Sequence, residues 1–168
     1  MVEKEEVYKS RVKYKGVFSF NDFYNFCYSW FADEEGYLLI EEKYVEKMSG
    51  DSKLVEIEWV ANKKITDYFK FQIKIKFRIT DMVKAEIVDS KGNKVATNKG
   101  AIDMAVKGLL LRDYEGKFES TATRKFIRGV YEKWVITARV DEMQTKLIKA
   151  CEEYITQAKG FLDLEGKK

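Results

Sequence analysis

Residues 69–79 have the sequence FKFQIKIKFRI, in which an apolar side chain alternates with a polar one at every step. Successive side chains of a β-strand point to opposite faces of the sheet, so this period of two places all the apolar groups on one side. The polar groups, among them Lys70, Lys74, Lys76 and Arg78, face the other way. The stretch therefore predicts a strand of a sheet with one face on the core and one face in water.

The same period recurs along most of the chain and predicts further strands. The first lies near 12–18, and the others lie near 38–48, 53–60, 68–79, 82–89 and 94–112, the last interrupted near Gly100. Short polar links at 49–52, 62–64 and 89–93 join them, and such links favour antiparallel neighbours. On the strand at 53–60, we expect Glu56 and Glu58 to lie near Lys74 and Gln72.

Helical spacing appears in two regions. Ser19 and Asp22 have the spacing of a capping box, and an aromatic helix over 20–33 should follow and end before Gly36. Near the C-terminus, Phe126, Ile127, Val130 and Trp134 form one apolar stripe. A longer stripe comprises Val140, Met143, Leu147, Ile148, Cys151, Tyr154, Ile155, Ala158 and Leu162. Its width predicts packing on the sheet, in one long helix or two.

These elements predict an α+β fold: a curved antiparallel sheet of five to seven strands packed on a long C-terminal helix, with a short helix after the first strand. This order resembles the helix-grip arrangement of START and Bet v 1-like proteins over roughly residues 11–163. We expect residues 1–10 to form an N-terminal extension, 11–163 a single domain, and 164–168 a disordered tail. The family usually has two short helices where this chain has one, and residues 113–121 separate its last strand from the helix.

Composition excludes many kinds of chemistry. The chain has 31 Lys and Arg against 28 Asp and Glu, a net charge of +3, so the total charge does not indicate a polyanionic partner. It has no histidine, which removes the commonest general base and zinc ligand, and its two cysteines, Cys27 and Cys151, are far apart. We expect no cofactor and no metal site. No signal region or membrane-spanning run is visible, so we expect a cytoplasmic protein.

No recognised motif supplies a catalytic site. The glycine-rich loops that bind phosphates do not occur, and residues 89–93 are better interpreted as a hairpin turn than as a calcium loop. The acidic pairs at 33–35, 41–42 and 152–153 are most simply solvated charges, although carboxylates alone can support glycoside hydrolysis. We therefore interpret the chain as a non-enzymatic protein, and loss of an activity in Glu41→Gln or Glu42→Gln would reverse that interpretation.

The basic face of residues 70–78 is a possible nucleic-acid surface, but its aromatic neighbours Phe69, Phe71 and Phe77 face the core and cannot stack on bases. We therefore do not expect a nucleic-acid partner.

Two binding functions stay open. In the first, an apolar small molecule occupies a cavity between the sheet and the C-terminal helix, as the resemblance to helix-grip proteins implies. Its walls would be Trp59, Phe69, Phe71, Ile73, Ile75, Phe77, Met104, Met143, Leu147 and Tyr154. The same side chains could instead fill the space completely. In the second, the chain is an assembly or adaptor subunit that contacts protein partners, or further copies of itself in a homo-oligomer, through a strand edge or the aromatic helix.

Overall fold

The computed structural model describes residues 3–116, 122–130, 133 and 137–166. Its strands are β1 (Glu3–Phe18), β2 (Leu38–Ser49), β3 (Ser52–Lys64), β4 (Phe69–Val88) and β5 (Lys94–Arg112). Its helices are α1 (Phe20–Ser29), which continues as a π-helical turn over Trp30–Glu34, then α2 (Ala122–Val130) and α3 (Thr137–Gly166). The predicted α+β class is confirmed, with the short helix after the first strand and the long helix at the C-terminal end.

The strands form one antiparallel sheet with the order β1-β5-β4-β3-β2. Strands β2 to β5 are joined by hairpins, as the short polar links predicted, while β1 pairs with β5 at the opposite edge. We call the face covered by α1 and α3 the inner face, and the opposite one the outer face. The pairing of β1 with β5 is important below because it brings together segments about a hundred residues apart.

Strands β4 and β5 are longer than the sequence indicated. The predicted strands 68–79 and 82–89 are one continuous strand, because a bulge between Thr80 and Val83 absorbs the extra residues and pairing with β5 resumes at Lys99. Strand β5 also runs without interruption through Gly100. A Cβ at Gly100 would lie 3.0 Å from the Thr80 carbonyl oxygen, so this glycine permits the close contact with the bulge.

Strand β1 begins at Glu3, so residues 3–10, which we expected to form an extension, belong to the sheet. The sequence pattern is weak here because Glu5 faces inward. Its carboxylate accepts hydrogen bonds from Arg112 Nη2 at 2.7 Å and from Gln144 Nε2 on α3 at 2.8 Å. At the other end, residues 164–166 of the predicted tail continue helix α3, and residues 167–168 lie outside the described part.

The register between β3 and β4 differs from the prediction by four residues along β4. Glu58 lies opposite Lys76, with Oε1 3.7 Å from Nζ, and Glu56 lies opposite Arg78. Glu56 also binds Lys43 Nζ of β2 at 2.9 Å. The shift arises because β3 continues to Lys64, through the predicted turn at 62–64, before the chain reverses.

The inner face holds the core. Helix α1 starts at its N-cap Ser19, whose Oγ accepts a hydrogen bond from the Asp22 amide at 3.3 Å, as the capping spacing predicted. Helix α3 packs across β1 and β5 and buries one side of its length. At the point of closest approach a Cβ on Gly108 of β5 would lie 3.0 Å from the Cys151 Sγ, which shows how tightly helix and sheet pack.

Helix α2 does not present its apolar stripe to the core. Phe126 is 72 % exposed, and Ile127 and Val130 are also exposed, while Arg128 is buried. The Arg128 guanidinium lies 2.8 Å from Glu3 Oε1 and 3.8 Å from Asp113 Oδ2, and these ionic contacts explain its inward position. Trp134, the last member of the predicted stripe, lies outside the described residues. None of the helices in the described part combines the length and apolar character needed to cross a bilayer.

Candidate functional site

The ten residues predicted to line an interior cavity lie together beneath the inner face. All are buried: Trp59, Phe69, Phe71, Ile73, Ile75, Phe77, Met104, Met143, Leu147 and Tyr154. Six come from β3 and β4, one from β5 and three from α3. The sequence therefore identified a set of side chains that the fold brings into one layer, although burial is equally consistent with a filled core and with a cavity wall.

Aromatic rings of α1 and its π-helical turn enter the same layer. The Tyr154 ring centroid lies 4.6 Å from that of Phe31 and 5.2 Å from that of Trp30. The Trp59 and Phe77 rings are 5.0 Å apart and meet edge to face. Such contacts between rings from the sheet and both helices fill much of the volume that a ligand would need. The prediction did not include Trp30 and Phe31, although the helical spacing of the aromatic segment had marked both.

A few polar groups are buried within this layer. The Tyr154 hydroxyl donates to Met104 Sδ at 3.1 Å, and it also lies beside the Cys27 thiol. Burial raises the pKa of the Cys27 thiol to about 12, so the thiol stays protonated and inert at neutral pH. The Trp30 indole Nε1, on a side chain only 1 % exposed, has no hydrogen-bond partner within the described part of the chain.

The outer face has a different character, which follows from the strand order. Strand β4 presents Lys74, Lys76 and Arg78 outward, as its alternating sequence predicted. Strand β1 presents a second row outward, consisting of Lys9, Arg11, Lys13 and Lys15. Strand β5 lies between these two rows, so the sheet places two lines of cations on either side of one strand.

Two of the outward residues of β5, Ala101 and Ala105, are short. Ala105 lies between Arg11 and Lys76, and Ala101 lies between Lys15 and Thr80. Long cationic side chains on both sides of small ones create open clefts of about 550 and 510 Å³ along the strand. We call this feature the basic trough. It is formed by Lys9, Arg11, Lys13 and Lys15 of β1, Ala101, Asp103, Ala105 and Lys107 of β5, and Lys74, Lys76 and Arg78 of β4.

Three lysines meet directly in one row of the trough. Lys107 of β5 lies opposite Lys9 of β1 on one side and opposite Lys74 of β4 on the other. Like charges in directly opposed cross-strand positions destabilise a sheet. The nearest carboxylate to this row is Glu6, whose Oε2 lies 3.7 Å from the Lys107 Nζ. Lys9 and Lys74 form no ion pair with any described residue, so positive charge accumulates at this end of the trough.

The carboxylate in the floor of the trough is neutralised locally. Asp103 accepts hydrogen bonds from Arg11 Nε at 2.6 Å and from Arg11 Nη2 at 2.7 Å. These bonds, with the positive charge of Arg11, hold the pKa of Asp103 below its ordinary value. Asp103 also lies between Lys13 and Arg78 in the register. Among the charged residues that line the two clefts, eight are cations and three are carboxylates, namely Asp103, Glu42 and Glu58, so cations are in excess even though the net charge of the chain is only +3.

Glu41 and Glu42, two of the candidate acidic residues, lie in different surroundings. Glu41 Oε2 accepts hydrogen bonds from Trp59 Nε1 at 2.9 Å and from the Tyr24 hydroxyl at 2.5 Å, which ties it to the core. Glu42 stands at a bulge of β2 and borders the cleft of about 510 Å³ in the trough. Within the described ranges, no three Cys, Asp or Glu side chains gather as a metal-binding group. The cations of the basic trough can attract anions.

Half of the basic trough was visible in the sequence. Lys74, Lys76 and Arg78 were recognised as a basic face, whereas the row on β1 was not. The signal was present, since residues 9–15 have the sequence KSRVKYK, in which a cation occupies every second position. What the sequence could not supply was the adjacency of the two rows, which depends on β5 lying between them.

Comparison with known proteins identifies no family for this chain: no protein-family model matches it, and no curated protein matches it. The function must therefore be inferred from the geometry of the molecule.

Proposed function

We propose that this protein is a non-catalytic binding protein that holds an anionic ligand in the basic trough. The observation that carries the proposal is the row of Lys9, Lys107 and Lys74, three cations in directly opposed positions on neighbouring strands. A bound anion would offset their mutual repulsion, so the row is more stable with a ligand than without one.

The shape of the trough supports the same conclusion. Its floor is apolar at Ala101 and Ala105, and its walls carry flexible cationic side chains that can close on a ligand from two sides. Ammonium groups on flexible stems act as point charges and suit phosphate or carboxylate oxygens without demanding a fixed geometry. The clefts are open to solvent along the strand, so an extended anion can enter from either end.

The test is binding of inorganic polyphosphate, measured by isothermal titration at about 50 mM salt. A variant with Lys9→Gln, Lys74→Gln and Lys107→Gln should bind about 10-fold more weakly or worse, because three contacts to the ligand are lost. The matched control carries Lys91→Gln, Lys149→Gln and Lys159→Gln, three exposed lysines elsewhere that give the same change in net charge. It should change affinity by less than about 2-fold. Equal losses in the two variants, or no binding by the unmodified protein, would contradict the proposal.

An interior apolar ligand is a second candidate, favoured by the buried Trp30 Nε1, a donor without a partner among the described residues. Buried donors in folded proteins nearly always have an acceptor, and a ligand oxygen would supply one. Native mass spectrometry after exposure to fatty acids, together with thermal melting, tests this candidate. A retained ligand and a raised melting temperature in the unmodified protein, both reduced in a Leu147→Phe variant that fills the space, would support it. Unchanged mass and melting temperature would exclude it for that ligand class.

A third candidate is an assembly or adaptor role. Among the aromatic residues of the helix at 20–33, Phe23, Trp30 and Phe31 lie inside the core, whereas Tyr28 is 42 % exposed and is available to a partner. The edge strand β2 exposes Leu38 and Met48, and it offers a second surface for such a contact. Sedimentation over a wide concentration range tests it, since a Met48→Lys change should weaken any oligomer that forms through this edge.

A further inference from the structure

We infer that the ligand of the basic trough is the sugar-phosphate backbone of a single-stranded nucleic acid. The inference rests on the proposed function, because it names the chemical class of the anion that the same site would hold. It also differs from the expectation drawn from the sequence, which counted against nucleic acid because the aromatic side chains face the core.

The width of the trough selects a single strand. Its two cationic walls stand on β1 and β4, which are separated only by β5. Neighbouring strands lie about 4.8 Å apart, so the walls are roughly 10 Å apart at the backbone. An extended polynucleotide chain can lie between Arg11 on one side and Lys76 on the other, whereas a duplex is too broad to reach the floor at Ala105.

The length of the trough suits several consecutive phosphates. Outward side chains on one strand recur every second residue, or roughly every 7 Å, so the row from Lys9 to Lys15 spans about 20 Å. Grooves that track a nucleic-acid backbone in this way cover about four or more nucleotides in single-strand-binding proteins. A regular row of cations fits a polymer with one charge per repeat better than it fits a compact anion with a single charged group.

The chemistry of the floor predicts binding without sequence preference. Ala101 and Ala105 carry no group that could read a base edge. The rings bordering the clefts belong to the inner side: the Tyr14 hydroxyl donates to the Val17 carbonyl at 2.7 Å, and Trp59 packs on Phe77. Since neither of these two rings is free to stack on bases, the affinity in the trough must come from phosphate contacts. Binding through the phosphates does not require bases to stack on aromatic rings. The inward orientation of these rings therefore does not argue against it.

An acidic peptide is the main competing ligand because its carboxylates would meet the same cations. The structure favours phosphates for one reason: the floor offers no side-chain donor or acceptor for peptide groups at Ala101 and Ala105, and its Asp103 carboxylate is already bound by Arg11. A peptide in the trough would leave its backbone amides without protein partners, whereas a phosphodiester chain carries its recognisable groups on the outside, towards the walls.

Fluorescence anisotropy with labelled 12-nucleotide oligo(dT) and oligo(dA) tests the inference, with a duplex of equal length, polyphosphate and poly-glutamate as competitors. We expect the two single strands to bind within about 2-fold of each other and the duplex to bind more weakly. Observed affinity should fall with salt at a logarithmic slope of about −3, the value for four phosphate contacts on a single strand. The variant with Lys9→Gln, Lys74→Gln and Lys107→Gln should reduce that slope by about 2, while the Lys91, Lys149 and Lys159 control should leave it unchanged.

The outcomes separate this inference from the proposed function. If polyphosphate binds in a trough-dependent manner and oligonucleotides do not, the inference is wrong and the proposed function stands. If poly-glutamate competes as well as oligo(dT) at equal charge, the ligand class is wrong. A preference above about 10-fold between dT and dA would show base recognition and contradict a backbone-only mode. If no anion binds at low salt while circular dichroism shows a folded protein, both proposals fail.

Discussion

Arg11 of β1 and Asp103 of β5 form a two-pronged ion pair across the sheet, with Nε 2.6 Å from Oδ1 and Nη2 2.7 Å from Oδ2. The pair lies in the middle of the basic trough, on its outer surface. It removes part of the positive charge of Arg11 from the trough and supplies a negative charge at the floor. Planar guanidinium groups favour this two-bond arrangement with carboxylates, so the pair is geometrically well defined.

Asp103→Asn should strengthen anion binding. The change removes the floor carboxylate and returns the full charge of Arg11 to the trough, and we expect about 2- to 5-fold tighter binding of polyphosphate at low salt. The difference should shrink at high salt because the charges are exposed. Affinity at two salt concentrations checks the prediction.

The control for this prediction is Glu86→Gln, which removes an exposed carboxylate of β4 outside the trough. A similar gain in affinity from both variants would show that net charge, and not the trough, controls binding. A loss of affinity in Asp103→Asn would indicate that the ion pair is needed to position Arg11.

Gly108→Ala should destabilise the fold. The added methyl group would lie 3.0 Å from Cys151 Sγ and 3.4 Å from a Leu147 side-chain carbon, so α3 must move away from β5. Overpacking of this kind costs about 1–3 kcal/mol. Chemical denaturation measures the change in unfolding free energy.

Two further variants sharpen the Gly108 prediction. Gly160→Ala, on the exposed side of α3 with nothing within 4 Å, should stabilise by up to about 1 kcal/mol because alanine favours the helix. In a Cys151→Ala background, Gly108→Ala should cost less, because the sulfur atom it meets is gone. An equal cost in both backgrounds would place the strain elsewhere.

The sequence predicted those elements whose pattern is local. The strict alternation at 69–79 fixed β4 and its buried face, and the capping residue Ser19 with its aromatic spacing fixed α1. It did not predict the first half of β1, because Glu5 faces inward and its charge is satisfied by Arg112 and Gln144, residues far away in the chain. Polar residues with distant partners carry no signal in a local hydrophobic pattern.

The candidate site was predicted in part for a related reason. A net charge sums over both faces of a sheet, so the value of +3 concealed the accumulation of cations on one of them. Recognising the trough requires the register of β1 with β5, in which Lys9 meets Lys107, and of β4 with β5, in which Lys74 meets the same residue. That information resides in pairing across the fold and not in any single segment.

The stability of the protein should fall at alkaline pH. Cys27 and Cys151 have pKa values raised by burial from 9.0 to about 12, whereas in the unfolded chain both thiols ionise near their ordinary pKa. At a pH between the ordinary thiol pKa and the raised one, the unfolded state binds fewer protons than the folded state. The free energy of unfolding therefore decreases as pH rises. The decrease is up to about 1.4 kcal/mol per pH unit for each thiol.

Urea denaturation at pH 8 and at pH 10.5 measures this effect. In the single variants Cys27→Ala and Cys151→Ala, the free energy of unfolding should fall less between the two pH values than it does in the unmodified protein. The difference should be up to about 2 kcal/mol. For each variant, the free energy of unfolding at pH 10.5 is compared with its own value at pH 8. The destabilisation caused by the cavity that alanine leaves is the same at both pH values, so it cancels. An identical pH dependence in all three proteins would mean that the thiols are accessible to hydroxide in the folded state.

Glu41 should matter for stability and not for catalysis. Its Oε2 atom accepts hydrogen bonds from Trp59 Nε1 and the Tyr24 hydroxyl, and Tyr24 in turn lies edge to face on the Trp59 ring with centroids 5.2 Å apart. Glu41→Ala leaves the nearly buried indole N–H without an acceptor, which should cost about 1–3 kcal/mol. Glu41→Gln keeps an acceptor oxygen and should cost less.

Neighbouring Glu42, at the bulge, makes no such bonds within the described residues, so Glu42→Ala serves as the matched control with little expected effect. If either glutamate variant abolished a hydrolytic activity without lowering the free energy of unfolding, the carboxylates would have to be assigned to an active site and the non-enzymatic interpretation abandoned.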